Sequence, residues 1–285
     1  MTFRAEVIRF LVLDAYDPKG RTALRRAGGT EAGSLYSRLL ARVAPDASVD
    51  VLCPSDPGAV LPEGAALRSY DGVLWTGSNL SLGAEDRAAR RHVELAREVF
   101  AAGVPSFGSC YAAQLAVVAA GGACRTHPAG REFGVSREIE LTTAGREHPM
   151  FHRKPGVFDA WTSHADEIAT LPPEATILAS NAWSAAQAVV VRSGAGEFWA
   201  VQYHPEYDAH EIACLASLRA DELIAQGTFG DAAAAAAWCE AVEEAARAPE
   251  RATEAGLPPA LLDPAAADCE ISNWIEHLVL PARRR

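Results

Sequence analysis

Cys110 follows a short apolar run and precedes a stretch that favours helix, in Phe107-Gly108-Ser109-Cys110-Tyr111-Ala112-Ala113-Gln114. A cysteine on a tight strand-to-helix turn projects its sulfur above the sheet, and the first N–H groups of the helix can hold developing negative charge. The same helix end favours thiolate over thiol. The segment predicts a nucleophile elbow, although a lone cysteine after an apolar strand is more often a buried core residue.

A histidine and a carboxylate follow a second apolar run, in Trp199-Ala200-Val201-Gln202-Tyr203-His204-Pro205-Glu206. His204 can remove a proton from Cys110 and return one to a departing amine, while Glu206 can orient the imidazole and stabilise its cation. Residues two apart on a strand point the same way, so His-Pro-Glu at a strand end can supply a base and its partner. We interpret Cys110, His204 and Glu206 as a catalytic triad.

Three further motifs accompany these two segments in the same chain. They are Thr76-Gly77-Ser78, Gly130-Arg131-Glu132-Phe133-Gly134 and Ser163-His164-Ala165-Asp166-Glu167. With the elbow and His-Pro-Glu, their order resembles the class I glutamine amidotransferases, including the stand-alone group similar to the amidotransferase domain of GMP synthetase. The resemblance covers roughly residues 5 to 206. It implies a flavodoxin-like α/β fold, with a mostly parallel sheet flanked by helices.

The resemblance also implies a reaction and the residues that assist it. A glutaminase of this family forms a γ-glutamyl thioester on the cysteine, here Cys110, releases ammonia and is completed by water. By position, backbone N–H groups of Gly77 or Ser78 and of Tyr111 would form the oxyanion hole. Gln114 would help to hold the substrate, and the alternative for Gln114 is a polar residue on the first helical turn.

One position departs from the family pattern. The family usually carries glycine two residues after the cysteine, whereas this chain has Ala112. The extra methyl can narrow the pocket or reflect less unusual backbone angles. The sequence therefore leaves open whether glutamine itself is the preferred substrate.

A metal site is the alternative interpretation of the same region. His164, Asp166, His204 and Glu206 are residue types that bind metal ions. A Cys-His-Glu arrangement explains these residues with fewer coincidences, and His164 fits hydrogen-bonded packing better than chemistry. We therefore expect neither a metal nor another cofactor.

The elements that must position these residues follow from the hydrophobic pattern. In the first half, short apolar runs alternate with amphipathic segments, which predicts strand-helix-strand units and a parallel sheet. The strands are predicted at residues 7–13, 49–52, 72–75 and 104–107, and the helices around 35–43, 85–102 and 112–120. Shorter β-like runs then predict antiparallel additions to the sheet at 138–141, 176–179, 188–191 and 198–203.

The chain becomes helical again after Glu206. Helices are predicted at 212–224 and 231–247, followed by a proline-containing connector and an amphipathic segment at 271–279, with Asp268 as its cap and Pro281 as its stop. We divide the chain into a catalytic domain, residues 1–206, and a helical extension, residues 207–285. The extension is expected to pack on the same domain, and the alternatives are a homodimer or a docked synthetase.

Composition excludes several classes of function. The 285 residues are 49% hydrophobic, enough for a sizeable core, and carry a formal charge of -11. That charge argues against binding to nucleic acid or to an anionic membrane. The sequence shows neither a secretory signal nor a membrane-spanning apolar run, so a cytoplasmic location is expected. The six cysteines lack CxxC spacing, which argues against a zinc ribbon or a redox dithiol.

Three functions remain compatible with the sequence. The first is a glutaminase that supplies ammonia to a separate acceptor enzyme, since no P-loop or other acceptor-activating motif is present. The second is a self-sufficient γ-glutamyl hydrolase or peptidase that uses the same thioester chemistry on a small γ-glutamyl conjugate. The third is a ligand-binding or regulatory homologue without turnover, against which the presence of Cys110, His204 and Glu206 weighs.

Overall fold

The structure, a computed structural model, describes residues 7–83, 86–253 and 255–284. The strands of these residues are β1 (Arg9–Leu13), β2 (Ser48–Leu52), β3 (Gly72–Trp75), β4 (Ser106–Ser109), β5 (Ala123–Thr126), β6 (Glu132–Leu141), β7 (Val157–His164), β8 (Asp166–Thr170), β9 (Ala175–Ser180), β10 (Ala188–Ser193) and β11 (Gly196–Val201). The main sheet has the order β2-β1-β3-β4-β11-β10-β9-β6-β7, and β5 pairs with β8 in a second, two-stranded sheet.

Helices cover both faces of the main sheet. Those of the described residues are α1 (Pro18–Arg26), α2 (Ala32–Val43), α3 (Arg87–Ala102), α4 (Tyr111–Ala119), α5 (Thr143–Glu147), α6 (Ala209–Leu218), α7 (Ala220–Ala225), α8 (Ala232–Arg247), α9 (Pro264–Ala267), α10 (Cys269–Trp274), continued by a π-helical turn (Ile275–Val279), and α11 (Leu280–Ala282). One core packs α3 and α4 on the sheet, and another packs α2 and α10 on the opposite face. In the described part of the chain, none of these helices is long and apolar enough to cross a membrane.

The predicted α/β sheet is confirmed, with parallel strands at its centre. β2, β1, β3, β4 and β11 run parallel to one another, and β10, β9, β6 and β7 continue the sheet beyond β11 by antiparallel pairing. Every residue of β3 and of β4 is buried, as expected for strands covered on both faces. Because the carboxyl ends of β3, β4 and β11 meet at one edge, the segments that follow them lie close together.

Strand β6 is longer than the predicted run at 138–141. Its pairing with β7 shifts between Ser136 and Ile139. At the shift, Glu138 has a φ of 51°, and its N–H donates to Asp159 Oδ1 at 2.7 Å. A bulge of this kind interrupts the alternation of apolar and polar residues, which explains why the sequence pattern revealed only the end of the strand.

The helix ends follow their capping residues, with one break that the sequence did not predict. α3 begins after Asp86, whose carboxylate accepts the N–H groups of Ala88 and Ala89, and ends at Gly103, which has a φ of 72°. Its predicted first residue, Glu85, lies outside the described residues. The single helix predicted at 212–224 is two helices, α6 and α7, because the chain leaves helical geometry at Arg219 (φ -110°, ψ 13°).

The described residues after Glu206, 207–253 and 255–284, share hydrophobic cores with the strands. The ring of Trp274 lies 5.6 Å from that of Phe10 and 6.1 Å from that of Phe107, between centroids. Asp268 stands at the N-cap position of α10, as predicted, but its side chain makes no capping bond and pairs with Arg42 at 2.6 Å. Pro281 lies within α11 instead of ending the segment before it. The division of the chain at residue 206 stays a prediction.

Candidate active site

Cys110 occupies a strained turn between β4 and α4. Its φ of 54° and ψ of -107° fall in a region that residues with a side chain rarely adopt, at a cost of about 1–3 kcal/mol. Gly108 lets β4 pack closely at this turn, because a Cβ there would lie only 2.7 Å from the carbonyl oxygen of Trp75 on the neighbouring strand β3. The strand-to-helix elbow predicted from the sequence is therefore present.

Ala112 packs beneath this elbow. A Cβ on Gly108 would lie 2.4 Å from the Cβ of Ala112, and Ala112 is fully buried in the core formed with α3. Its methyl group is thus part of the contact between α4 and β4. This position argues against the expectation that Ala112 narrows the substrate pocket.

His204 and Glu206 lie in a turn beyond β11, not on the strand itself. β11 ends at Val201, whose carbonyl oxygen accepts the Cys110 N–H at 2.8 Å. The His204 N–H donates to the carbonyl of Trp161 on β7, also at 2.8 Å. These two bonds fix the turn next to the elbow, and His204 Nδ1 lies 2.7 Å from Glu206 Oε1. The alternation of side chains along a strand is therefore not what aligns the pair.

The imidazole of His204 is positioned by two neighbours, Tyr207 against the face of the ring and Gly77 against its edge. Its ring stacks on that of Tyr207 with centroids 3.8 Å apart and an interplanar angle of 3°. A Cβ on Gly77 would lie 2.9 Å from His204 Cε1 and 3.8 Å from the Cβ of Cys110, so the imidazole and the cysteine meet at Gly77. His204 Nε2 is buried and has no hydrogen-bond partner among the described residues. Since Nδ1 faces a carboxylate, Nε2 is the ring atom available for the predicted proton transfer, and that role stays a prediction.

The charge state of His204 is set by opposing effects. Burial disfavours the imidazolium, but the negative charges of Glu206 and of a Cys110 thiolate outweigh it and raise the pKa of His204 to about 9. The site therefore favours an imidazolium near neutral pH. A protonated imidazole is the form that can donate to a departing amine.

Two hydroxyl groups that the sequence did not reveal support Glu206. Ser109 Oγ donates to Glu206 Oε1 at 2.8 Å, and the Tyr36 hydroxyl donates to Ser109 Oγ at 2.8 Å. Burial, and then the charge of Glu206, raises the pKa of Tyr36 well above its ordinary value, so Tyr36 remains a donor. Ser109 and Tyr207 could have been suspected from the sequence, because each lies next to a residue of the predicted triad. No local feature of the sequence marks Tyr36 as part of the site.

The residues predicted for the oxyanion hole divide into two groups. Gly77 touches the triad, and Tyr111 is the first residue of α4, whose N–H has no intrahelical acceptor. The Ser78 hydroxyl instead donates to the carbonyl of Ala15 at 2.7 Å and so fixes the loop. The Tyr111 side chain points away into the core, where its hydroxyl lies 3.1 Å from His92 Nδ1. Their role in stabilising an oxyanion stays a prediction.

Gly77→Ala is expected to reduce turnover by about 10²-fold, because a displacement of the imidazole by an ångström or less suffices for such a loss. The added Cβ would stand 2.9 Å from His204 Cε1, and Tyr207 blocks the ring on its stacked face. The measurement is kcat/KM at constant pH. Gly230→Ala is the matched control, since a Cβ there meets open space. Equal activity of the two variants would show that space at Gly77 does not determine the position of the His204 imidazole.

Gln114 fixes a backbone segment that faces the sulfur. Ser163 presents its carbonyl oxygen 3.8 Å from Cys110 Sγ. Three residues further on, the Asp166 carbonyl accepts from Gln114 Nε2 at 2.9 Å and lies 3.0 Å from His164 Nδ1. Gln114 is buried, and its amide acts on this segment, so direct contact of Gln114 with substrate stays a prediction.

The side chains of the metal alternative have separate protein partners. His164 Nε2 lies 2.7 Å from Glu132, which also accepts from Gln187 at 2.8 Å. Asp166 accepts hydroxyl donors from Thr126 and Ser81. Across the described ranges, no group of three or more His, Cys, Asp or Glu residues is arranged to hold a metal ion.

The chain belongs to the class I glutamine amidotransferase family. The model for "Glutamine amidotransferase class-I" matches residues 47–214, which include the elbow and the His-Pro-Glu turn. A γ-glutamyl-L-1-hydroxyisopropylamide hydrolase from a Pseudomonas species is 32% identical, over 98% of this chain and 96% of the relative. The glutamine-hydrolysing GMP synthase of Thiobacillus denitrificans is 30% identical, over 61% of this chain and 32% of the synthase. The predicted family is therefore confirmed.

Solved structures agree on the fold. The crystal structure of a glutamine amidotransferase from Thermotoga maritima superposes with a TM-score of 0.66 at 17% identity, covering 96% of this chain and 99% of that one. A glutamine amidotransferase from Methylobacillus flagellatus gives a TM-score of 0.59 at 20% identity, with 98% of this chain covered and 94% of that one. The predicted class I amidotransferase-like fold is thus confirmed over nearly the whole chain.

Proposed function

We propose that this chain is a self-sufficient amidohydrolase that cleaves small γ-glutamyl amides through a thioester on Cys110. Family membership supports hydrolysis or transfer of an amide. The observation that favours a γ-glutamyl amide over an ammonia-supplying role is the extent of the similarity. The γ-glutamyl amide hydrolase matches nearly end to end, including the segment after the His-Pro-Glu turn, whereas GMP synthase matches over 61% of this chain.

The first half of the proposed reaction forms the thioester. Cys110 Sγ attacks the γ-carbonyl carbon, and the carbonyl oxygen gains negative charge beside the N–H groups of Gly77 and Tyr111. His204 Nε2 receives the thiol proton, or already holds it as imidazolium, and donates it to the amine nitrogen as the C–N bond breaks. Glu206 keeps Nδ1 as the donor and balances the imidazolium charge. The free amine leaves.

The second half releases glutamate. A water molecule gives a proton to His204 Nε2 and attacks the thioester carbon, and the C–S bond breaks. The sulfur leaves as thiolate, which restores the ion pair with His204. Each step uses the same base and the same N–H donors, so the site needs no further cofactor for this sequence of bonds.

Purified chain alone is expected to release glutamate from γ-glutamyl alkylamides and hydroxyalkylamides with a higher kcat/KM than from glutamine. The measurement is glutamate release from a series in which only the amine varies, from ammonia to a branched amino alcohol. Cys110→Ala serves as the blank for spontaneous hydrolysis. A chain that cleaves none of the substituted amides would refute the proposal.

The second candidate is a glutaminase that delivers ammonia to a separate synthetase. The similarity to the amidotransferase part of GMP synthase favours it, together with the absence of an acceptor-activating motif from the sequence. This candidate predicts glutamine as the best substrate and a rate that rises when a partner binds. The same amine series separates the two candidates, because only the hydrolase accepts bulky amines without a partner.

A further inference from the structure

Arg131 connects the surroundings of the nucleophile with the helix α7. Its Nη1 donates to the carbonyl oxygen of Ser163 at 3.2 Å, and the same oxygen accepts from Cys110 Sγ at 3.8 Å. The Arg131 side chain is only 11% exposed, so water screens its charge weakly. A guanidinium therefore lies one carbonyl oxygen away from the sulfur.

The Ser163 carbonyl opposes ionisation of the sulfur that faces it. Its oxygen can accept from an S–H group, but its partial negative charge repels a thiolate at the same place. A guanidinium N–H bound to that oxygen withdraws part of this charge, and a cation close to a cysteine favours the thiolate. Arg131 is thus placed to offset the effect of the carbonyl.

The helix α7 and its last turn hold Arg131 by both side chain and backbone. Arg131 Nε donates to Glu222 Oε1 at 2.8 Å. The amide of Gln226 pairs with the Arg131 backbone in both directions, since its Oε1 accepts the N–H at 2.9 Å and its Nε2 donates to the carbonyl at 3.0 Å. Because Nε and Nη1 belong to one rigid plane, these bonds fix the direction in which Nη1 points.

Gly130 makes the approach of Gln226 possible. Its φ of 89° lies in the left-handed region that favours glycine, and a Cβ there would stand 2.7 Å from Gln226 Oε1. A side chain at position 130 would displace the Gln226 amide from the Arg131 backbone. The glycine that precedes Arg131 therefore serves the contact with the segment after α7.

These contacts come from a part of the chain that the family model does not match. That model ends at residue 214, before α7 begins, whereas the Pseudomonas γ-glutamyl amide hydrolase aligns over 98% of this chain. The residues that hold Arg131 thus lie beyond the matched amidotransferase segment, and they reach back to the nucleophile.

We propose that Arg131 is a positioning residue that acts through the Ser163 carbonyl to favour the thiolate of Cys110. Glu222 and Gln226 hold it in place, so the segment after the His-Pro-Glu turn takes part in activity. The inference rests on the proposed attack of the cysteine on a γ-glutamyl amide. In this role the guanidinium acts on the nucleophile and not on the substrate, so its loss lowers kcat and leaves KM nearly unchanged.

The first test follows alkylation of Cys110 by iodoacetamide, a small electrophile without an amino-acid head, over a range of pH. In Arg131→Met the profile is expected to move to higher pH and the rate at neutral pH to fall ~10-fold. Arg131→Lys should move less, because an ammonium keeps the charge without the planar fork. Arg192→Met, which removes an arginine paired with Glu197 at 2.8 Å, should match wild type. An unmoved profile in Arg131→Met would overturn the proposal.

The second test disturbs the Gln226 contact without removing a charge. Gly130→Ala should lower kcat for a γ-glutamyl amide by ~10-fold, because the guanidinium shifts relative to the Ser163 carbonyl. Gly227→Ala is the matched control: φ there is 84°, so the backbone strain is similar, but a Cβ meets open space. It should lose stability and keep kcat. Equal kcat values in the two variants would contradict the role of Gln226.

A double-mutant cycle tests whether Glu222 acts through the arginine. Glu222→Leu should lower kcat in the wild-type background and have no further effect in Arg131→Met. Additive losses would show that the two residues act independently, against the proposal. If wild type cleaved no γ-glutamyl amide while its alkylation profile still depended on Arg131, the proposed function would fail and the positioning role would stand.

Discussion

Replacing Cys110 with alanine is expected to lower kcat/KM for a γ-glutamyl amide by at least ~10³-fold, the scale of loss when a nucleophile is removed. The fold should survive, because the change removes only the thiol group of a small residue that is 7% exposed. Cysteine and alanine both carry a Cβ, so a φ of 54° at position 110 strains the backbone equally with either residue. The measurements are glutamate release and the thermal unfolding midpoint.

Cys214→Ala is the matched control for Cys110→Ala. Cys214 is equally buried at 7% exposure, and its sulfur lies 3.5 Å from His210 Nε2, so it too is a cysteine beside a histidine. Burial raises the pKa of the Cys214 thiol to about 11, which suppresses its thiolate. Cys214→Ala should therefore retain activity. If Cys110→Ala were active and Cys214→Ala inactive, the assignment of Cys110 as the nucleophile would be wrong.

His204→Ala is expected to lose at least ~10³-fold in kcat/KM, and Glu206→Gln distinctly less. In the proposed reaction the imidazole moves the proton in both halves, whereas the carboxylate orients the imidazole and stabilises its cation. Glutamine can still accept from Nδ1–H at the position of Glu206 Oε1, which accepts at 2.7 Å. His210→Ala is the control, since His210 also pairs with a glutamate, Glu243, at 2.5 Å.

Glu206→Gln is also expected to change the pH dependence of the reaction. The pKa of His204 is raised to about 9 in the folded enzyme, so the proton needed by the departing amine is present below that pH and lost as pH rises through it. Wild-type kcat/KM should fall on the basic side near pH 9. Glu206→Gln removes a charge that raises this pKa, so its basic limb should move to lower pH. If the basic limb of the kcat/KM profile did not move in Glu206→Gln, Glu206 would not control the ionisation of His204.

The sequence predicted the parts of the site that local pattern encodes. Cys110 at a strand-to-helix turn and His204 near Glu206 follow from motif and element order, because the ends of β4 and β11 must meet at one edge of the sheet. The bond from the Cys110 N–H to the Val201 carbonyl is the contact through which they meet. The sequence predicted a strand up to residue 203 with His204 directly at its end, whereas β11 ends at Val201 and the chain turns before it reaches His204.

What the sequence could not predict depends on contacts between distant segments. Tyr36 supports Glu206 through Ser109 across the fold, and no spacing marks it. The break between α6 and α7 at Arg219 is not revealed by helix propensity, because arginine is a good helix former. The β6 bulge at Glu138 is likewise set by a partner, Asp159, on the neighbouring strand.

The most direct test of the central proposal is to find which cysteine a glutamine-like electrophile modifies. An α-amino chloroketone is added at limiting concentration, residual activity is followed, and the modified peptides are mapped by mass spectrometry. Activity is expected to be lost in proportion to modification of Cys110, with the other five cysteines largely unmodified. Loss of activity that instead follows modification of Cys53 or Cys214, with Cys110 intact, would contradict it.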